Sequence, residues 1–259
     1  MDLYAGYIFD LDGTIYLGEK AIEGAVEAIA QLQRRGKKVL FLTNKTIESR
    51  EKYTAKLNGF GIPVSMDQLL SPAVVTIHYL ETRHPGARVY VIGEPALKEE
   101  MSRSGIRFAR SPEETDVVVV SWDREFHYRH LEFAYRSYKR GAQFIATHPD
   151  RTCPVPGGEL PDCGAMIGAI EGATNRKIDV VMGKPSALMA LAALERMQVQ
   201  ADHCLMVGDR LETDILMGQQ AGMNTALVLS GVTTEQELAL SAVKPTYVWN
   251  SVSELVHMN

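Results

Sequence analysis

The sequence predicts an α/β fold: a doubly wound parallel sheet of the Rossmann type with a large inserted α/β domain. Short apolar runs rich in β-branched residues alternate with amphipathic segments of helical period, which favours parallel strands covered by helices on both faces. The chain has 259 residues, 46% of them apolar, so a sizeable core is expected. The predicted strands are Tyr7–Phe9, Val39–Leu42, Val89–Ile92, Val117–Val120, Phe144–Ala146, Cys204–Val207 and Ala226–Leu229.

Two segments between these runs illustrate the helical pattern. Ala25–Arg35 carries apolar residues near helical spacing and ends in basic residues, which suit the C-terminus of a helix. Gly36 follows at the position where a glycine commonly ends a helix. Ala187–Met197 has a similar amphipathic pattern, so both segments are predicted to be helices.

The stretch between Thr43 and Lys184 is too long for a single crossover and contains predicted strands and helices of its own. We therefore expect a core formed by residues 1–77 and 181–259. Residues 78–180 would form the inserted second domain.

The charge, apolar segments and cysteines of the sequence indicate which partners and which compartment to expect. The net charge is −5 and the chain has no long basic run, which argues against nucleic acid as the main partner. No apolar segment approaches the roughly 20 residues that a membrane span needs, and the first strand begins too early for a signal peptide. The cysteines Cys153, Cys163 and Cys204 are sparse and odd in number, which predicts a reducing cytoplasm without a disulfide framework.

The most informative stretch is Asp10-Leu11-Asp12-Gly13-Thr14, directly after the first predicted strand. Two carboxylates two residues apart point the same way in an extended chain, and each raises the pKa of the other. Such a pair is tolerated when a cation lies between the carboxylates or when one of them transfers protons. A calcium loop starting at Asp10 would need Gly and Glu where Ile15 and Ala21 stand, so only an ordinary turn is left as the structural alternative.

Further polar residues follow other predicted strands. Thr43 and Asn44 follow the second strand, Lys184 precedes a helix, and Asp209 and Asp214 follow the strand Cys204–Val207. In doubly wound sheets the carboxyl ends of the strands share one edge, where ligands bind, so these regions are predicted to converge on one site. The alternatives are a solvated lysine ahead of a helix and acidic residues that favour a helix N-terminus.

The converging residue types predict phosphoryl chemistry. Asp10, Asp209 and Asp214 supply hard oxygen ligands, which favour Mg²⁺ over zinc. A metal, the Lys184 ammonium and short hydrogen-bond donors together can hold a phosphoryl group. Of the Asp10 and Asp12 carboxylates, the one bound to metal stays ionised and can attack phosphorus. The other protonates the leaving oxygen and later deprotonates a water.

Four motifs in this order resemble those of the haloacid dehalogenase superfamily: Asp10-Leu11-Asp12-Gly13-Thr14, Thr43-Asn44, Gly183-Lys184-Pro185 and Gly208-Asp209-Arg210 with Asp214. The chain is more closely similar to the NagD-like, p-nitrophenyl phosphatase branch, which includes the sugar-phosphate phosphatase of bacterial arabinose operons. The segments Ala146–Asp150 and Gly164–Glu171 look like the type IIA cap of that branch, the domain inserted in its core. The resemblance covers nearly the whole chain.

The resemblance implies a role for each core residue. Asp10 would be the nucleophile and a Mg²⁺ ligand, and Asp12 would be the acid/base and offer its backbone carbonyl to the metal. Lys184 would neutralise charge on the nucleophile and the phosphate. Asp209 would bind Mg²⁺ directly and Asp214 through water.

The resemblance also implies residues that bind substrate. Thr43 and the Asn44 amide would bind phosphoryl oxygens, and the cap would place His148 and Asp150 against the leaving group. Lys45 and His148 stand where relatives often carry Asn, which bears on substrate identity rather than on the reaction. Relatives often dimerise through the cap, so a homodimer is also implied.

The predicted function is a Mg²⁺-dependent phosphatase that acts through an aspartyl-phosphate on a small phosphorylated metabolite. A sugar phosphate is one candidate, with p-nitrophenyl phosphate as a surrogate. A haloacid dehalogenase proper needs no acid at Asp12, because halide leaves unprotonated. A phosphotransferase to another acceptor and a non-catalytic sugar-phosphate sensor are the remaining alternatives.

Overall fold

The computed structural model describes residues 3–155 and 157–257, and within them the chain divides into two compact α/β units. The first unit comprises residues up to Thr43, Arg50–Leu70 and residues from Lys184 onward; the second comprises Asn44–Ser49 and Ser71–Gly183. The sequence analysis placed the insertion at 78–180. The observed second unit is longer because a helix at 72–83 and the loop after Thr43 belong to it. The predicted outer limits of the core, residues 1 and 259, lie outside the described residues.

Strands and helices are numbered in chain order. The strands are β1 Gly6–Asp10, β2 Tyr16–Leu17, β3 Lys20–Ala21, β4 Lys38–Leu42, β5 Leu69–Leu70, β6 Arg88–Ile92, β7 Arg107–Phe108, β8 Val117–Val120, β9 Gln143–Ala146, β10 Thr152–Val155, β11 Gly158–Pro161, β12 Val180–Val181, β13 Cys204–Gly208, β14 Asn224–Val228 and β15 Tyr247–Trp249. The helices are α1 Ala25–Arg34, α2 Arg50–Gly59, α3 Pro72–Arg83, α4 Pro95–Arg103, α5 Tyr128–Tyr138, α6 Cys163–Thr174, α7 Ala187–Met197, α8 Leu216–Gln220 and α9 Glu235–Leu240.

The main sheet of the first unit has the order β15-β14-β13-β1-β4-β5, and all its neighbouring strands are parallel. After β1 the chain builds β4 and β5 on one side, and later β13, β14 and β15 on the other. The direction of winding therefore reverses at β1. In sheets of this kind, ligands bind beyond the carboxyl ends of the strands at the reversal. The predicted fold class is confirmed.

Strand β1 lies in the middle of this sheet with its five residues buried, as expected for a strand covered on both faces. Phe9 of β1 packs against Phe41 of β4 with ring centroids 6.1 Å apart. Helix α1 contributes Ile29 and Leu32 to the same core. Fully burying each such side chain stabilises the fold by about 1.5–3 kcal/mol. Gly36 follows α1 with φ of 69°, in agreement with the predicted helix end.

The second unit has its own parallel sheet, in the order β12-β9-β8-β6-β7. Its winding also reverses, since β7 lies on one side of β6 and β8 on the other. Val118, Val120 and Phe144 form its core with residues of α5 and α6. The antiparallel hairpin β10–β11 leaves β11 exposed. Across the described part of both units, the helices are too short or too polar to span a bilayer.

Candidate active site

The first predicted site residue, Asp10, is the last residue of β1 and is buried. The ammonium of Lys184 reaches it from the segment before α7: the Nζ atom lies 2.5 Å from Asp10 Oδ1 and 2.6 Å from Asp214 Oδ1. Asp214 also accepts a hydrogen bond at Oδ2 from the backbone N–H of Arg210, 3.1 Å away. One buried lysine thus joins two carboxylates that are far apart in sequence. The positions of these residues after predicted strands indicated that their regions converge at this edge of the sheet.

Asp209 completes a cluster of three carboxylates. One oxygen from each of Asp10, Asp209 and Asp214 lies within 4.8 Å of the others, and all three side chains are buried. Burial, and then repulsion from Asp214, raises the pKa of Asp209 to about 7. Burial also raises the pKa of Asp10 well above its usual value, although Lys184 acts in the opposite direction.

The pKa of Lys184 responds in the complementary way. Burial lowers it, but Asp10 and Asp214 outweigh the burial and raise the pKa above its usual value, so this lysine is charged. When all three carboxyl groups are ionised, the buried Lys184 ammonium alone cannot balance their charge, and Arg210 acts on Asp209 as a further positive charge. A hard divalent cation would offset that charge, and the donor set, which is made only of oxygens, suits Mg²⁺.

A loop that the sequence analysis missed holds Asp209. After β14, the backbone N–H of Val232 donates to Asp209 Oδ2 over 2.8 Å, and the Ser230 hydroxyl donates to the carbonyl of Gly13 over 2.7 Å. Gly13 has φ of +83°, and a Cβ on Gly13 or on Gly231 would collide with the Asp209 carboxylate. A Ser-Gly pair directly after a predicted strand, at the edge where the other site residues gather, was the available signal.

Asp12 lies in the turn that follows β1 and is half-buried. The hydroxyl of Tyr16 donates to Asp12 Oδ2 over 3.4 Å. Tyr16 had not been recognised, because a tyrosine in a short apolar strand looks like core. Thr43, predicted to bind phosphate, is buried one residue beyond β4, which neighbours β1, and its N–H donates to the carbonyl of Leu70 over 3.2 Å.

The remaining predicted residues lie in the second unit. The Asn44 amide donates to both carboxylate oxygens of Asp150, each 3.3 Å away. His148 is only 1% exposed. Its Nε2 lies 2.8 Å from Asp162 Oδ1 and its Nδ1 lies 2.9 Å from the Thr147 hydroxyl. Both ring nitrogens therefore have protein partners, and this geometry favours an internal role for His148 over the predicted contact with substrate.

Comparison with known proteins decides the family. The chain is 39% identical over 254 residues to the sugar-phosphatase AraL of Bacillus subtilis, covering 98% of this chain and 93% of that protein. Residues 7–107 match the family model for haloacid dehalogenase-like hydrolases, and residues 181–255 match a second HAD-hydrolase-like model. The chain belongs to the haloacid dehalogenase superfamily.

Solved structures place this HAD protein in the NagD-like branch. It superposes on the p-nitrophenyl phosphatase of Archaeoglobus fulgidus with a TM-score of 0.94, at 34% identity over 99% of both chains. With NagD of E. coli K-12 the TM-score is 0.88, at 32% identity over 97% of this chain and 98% of that one. The predicted family is confirmed, and the protein is a phosphatase, an enzyme that hydrolyses phosphoric monoesters.

Proposed function

We propose that this HAD protein hydrolyses the phosphate monoester of a small metabolite in two steps, with Mg²⁺ bound and an aspartyl-phosphate formed on Asp10. The observation that carries the proposal is the arrangement around Lys184. A buried ammonium joins the carboxylates of Asp10 and Asp214, with Asp209 beside them. A buried cluster with excess negative charge has a physical reason to exist if it binds a cation and an anionic substrate together.

The residues present fit a hard cation. Asp10, Asp209 and Asp214 would hold Mg²⁺ with the backbone carbonyl of Asp12, Asp214 acting through water as the family resemblance implies. When bound, the cation would neutralise charge on the carboxylates and on the phosphoryl oxygens. The Lys184 ammonium adds a second positive charge on the same side.

In the first step a carboxylate oxygen of Asp10 attacks phosphorus, and a new P–O bond forms as the ester P–O bond breaks. The leaving oxygen keeps the electron pair of the broken bond and takes a proton from Asp12. The Thr43 hydroxyl donates to a phosphoryl oxygen, and Lys184 stabilises the charge on the transferred group. Phosphoryl binding by the Asn44 amide stays a prediction.

In the second step Asp12, now ionised, takes a proton from water as the water oxygen bonds to phosphorus. The bond between phosphorus and Asp10 breaks, which releases inorganic phosphate and restores both aspartates. Proton transfer of this type contributes roughly 10²–10⁴-fold to the rate. The presence of Asp12 therefore favours phosphate esters over carbon–halogen bonds.

For the substrate we propose a small phosphorylated metabolite, with sugar phosphates as the first class to test, because one relative bears the name of a sugar phosphatase. Transfer to an acceptor other than water is the second candidate reaction. A non-catalytic sensor is disfavoured, because sensing needs no acid/base beside the nucleophile. We also propose a cytoplasmic location, which suits three buried cysteines that form no disulfide among the described residues.

The test measures inorganic phosphate released from p-nitrophenyl phosphate and from a panel of sugar phosphates. We expect turnover to stop in excess EDTA and to return when Mg²⁺ is added beyond the chelator. Mass spectrometry of rapidly quenched enzyme should show one added phosphoryl group on the peptide that contains Asp10. Full turnover in excess EDTA, or a phosphorylated peptide elsewhere, would contradict the proposal. Product that appears only with an added alcohol acceptor would instead identify a phosphotransferase.

A further inference from the structure

The turn after β1 brings Tyr16 back beside Asp12. The carbonyl of Leu11 accepts hydrogen bonds from the N–H groups of Thr14, Ile15 and Tyr16, at 3.3, 2.9 and 3.2 Å. The N–H of Gly13 donates to the carbonyl of Tyr16 over 2.8 Å. The backbone therefore fixes the position of Tyr16 relative to the two catalytic aspartates.

The ring of Tyr16 is held as firmly as its backbone. The side chain is 1% exposed and packs against Phe60, with ring centroids 5.8 Å apart. The Nζ atom of Lys56 lies 4.3 Å from the ring centroid and 3.0 Å from Glu19 Oε1. A cation over a tyrosine face is attracted by the π-electrons, so Lys56 of α2 restricts the orientation of the ring. The hydroxyl has little freedom to point elsewhere than at Asp12.

We propose that Tyr16 is a positioning residue for the acid/base: its hydroxyl donates to Asp12 Oδ2 and holds the carboxyl group in the orientation from which it protonates the leaving oxygen. The proposal rests on the proposed function. A neutral carboxyl has one O–H and one acceptor oxygen, and a donor fixed at Oδ2 makes that oxygen the acceptor. The separation of 3.4 Å is long for such a bond, as is common at catalytic sites before the substrate binds.

This role has a consequence that a purely structural role lacks. A p-nitrophenolate leaves readily as the anion, whereas an alkoxide needs its proton as the ester bond breaks. Loss of the Tyr16 hydroxyl should therefore harm alkyl esters more than p-nitrophenyl phosphate. Binding of the ground-state substrate does not involve the proton, so the affinity for the intact ester should change little.

The experiment compares Tyr16→Phe with wild type on aryl and alkyl phosphates of increasing leaving-group pKa. Tyr16→Phe keeps the ring against Phe60 and Lys56 and removes the hydroxyl alone. We expect a loss in kcat/KM of about tenfold on alkyl phosphates, a small part of the roughly 10²–10⁴-fold that a general acid contributes, and almost none on p-nitrophenyl phosphate. The ratio kcat/KM reports the steps through phosphoryl transfer to Asp10 and excludes the later attack of water, which is common to all esters. The plot of log(kcat/KM) against leaving-group pKa should become steeper.

Tyr4→Phe is the matched control. Its hydroxyl lies 3.1 Å from that of Tyr247, and Tyr4 precedes the first residue of β1, whereas Asp10 is the last. The control also loses a buried tyrosine hydroxyl in the first unit, and it should keep the wild-type slope. In an Asp12→Asn background, Tyr16→Phe should cause no further loss on alkyl esters, because the two residues act as one group.

An equal loss on every ester, with unchanged slope, would show a structural role and overturn the proposal. Wild-type kinetics in Tyr16→Phe, or additive losses with Asp12→Asn, would do the same. Failure of the proposed function shows differently, in the wild type itself: no phosphate release from any ester, or turnover that survives Asp10→Asn. That result overturns both proposals.

Discussion

Each unit holds a cluster of three polar side chains, but the two clusters differ in charge and in hydrogen bonding. Each has a parallel sheet whose winding reverses, and in each a group of three metal-ligand side chains lies close together. In the first unit the group is Asp10, Asp209 and Asp214, and in the second it is His148, Asp150 and Asp162. We call these the aspartate cluster and the histidine cluster. The difference between them separates a site for ligands from a structural network.

The aspartate cluster is unfavourable by itself. Burial and mutual repulsion raise the pKa values of Asp10 and Asp209, and Lys184 supplies one positive charge against three carboxylates. Repulsion between these carboxylates lowers the free energy of unfolding of the first unit. Binding of a cation would offset that repulsion.

The histidine cluster is internally satisfied. His148 bridges Thr147 and Asp162, and Asp162 also accepts a hydrogen bond from the N–H of Cys163 at the start of α6. The chain of bonds continues through Ser121, which contacts the hydroxyl of Thr147 at 2.8 Å and that of Thr46 at 2.7 Å. Buried polar groups with complete partners stabilise and specify a fold. Similar sheet topology therefore does not by itself create a site for ligands.

The strongest test of the comparison is Asp10→Asn. Because the amide cannot attack phosphorus, turnover should fall by about 10⁴-fold or more, the order found when a covalent catalytic group is removed. The fold should be retained, since Asn removes one buried like charge and keeps the shape. Phosphate release and the thermal unfolding midpoint measure the two effects.

The control for this substitution is Asp202→Asn, at a side chain that is 73% exposed. It should leave both activity and unfolding midpoint unchanged. A rate within tenfold of wild type in Asp10→Asn would show that Asp10 is not the nucleophile. It would also contradict the view that the aspartate cluster, unlike the histidine cluster, is a site for ligands.

The second test is the pH dependence of stability without metal. Asp209 has a folded pKa of about 7 and an unfolded pKa near its ordinary value of about 4, so the folded state binds the proton more tightly. The contribution of Asp209 to stability should therefore be greatest below about pH 4 and fall as pH rises from about 4 to 7. The contribution of Asp209 is at most about 4 kcal/mol, from 1.36 kcal/mol for each pH unit.

Denaturant unfolding in EDTA at several pH values measures this slope. The slope should flatten in Asp209→Asn, which has no carboxylate to titrate, and saturating Mg²⁺ should raise stability most near pH 7. A difference in stability between wild type and Asp209→Asn that stays constant over this range in EDTA would contradict a cluster of repelling carboxylates.

The sequence was sufficient for the fold and for most of the aspartate cluster. Strand periodicity and the rule that ligands bind at carboxyl ends placed Asp10 and Asp209 at one edge, and α7 has the predicted bounds Ala187–Met197. Tyr16 was missed because a tyrosine in a short apolar strand looks like core, and Gly231 because its close approach to Asp209 joins residues far apart in sequence. No pattern in one sequence shows that a tyrosine hydroxyl reaches back four residues to Asp12.

The histidine cluster was beyond sequence analysis for a related reason. His148 lies just after a strand and Asp10 at the end of one, and a histidine at that position suggested a contact with substrate. Only the packing shows that Asp162, from the start of another helix, and Thr147 take up both ring nitrogens. Whether a polar residue after a strand is offered to a ligand depends on its neighbours in space.

The third and smallest test is His148→Ala. Removing the ring leaves the buried Asp162 carboxylate and Thr147 hydroxyl short of a partner, which costs about 1–3 kcal/mol in the free energy of unfolding. Denaturant unfolding measures the loss, and kcat and KM for p-nitrophenyl phosphate should stay within about twofold of wild type, because the side chain is 1% exposed. His203→Ala is the matched control at a side chain that is 62% exposed, and it should change neither quantity.

A rise in KM with unchanged stability would mean that His148 contacts the substrate after all. In that case the histidine cluster would belong to the binding site, and the contrast between the two clusters would reduce to a difference in charge.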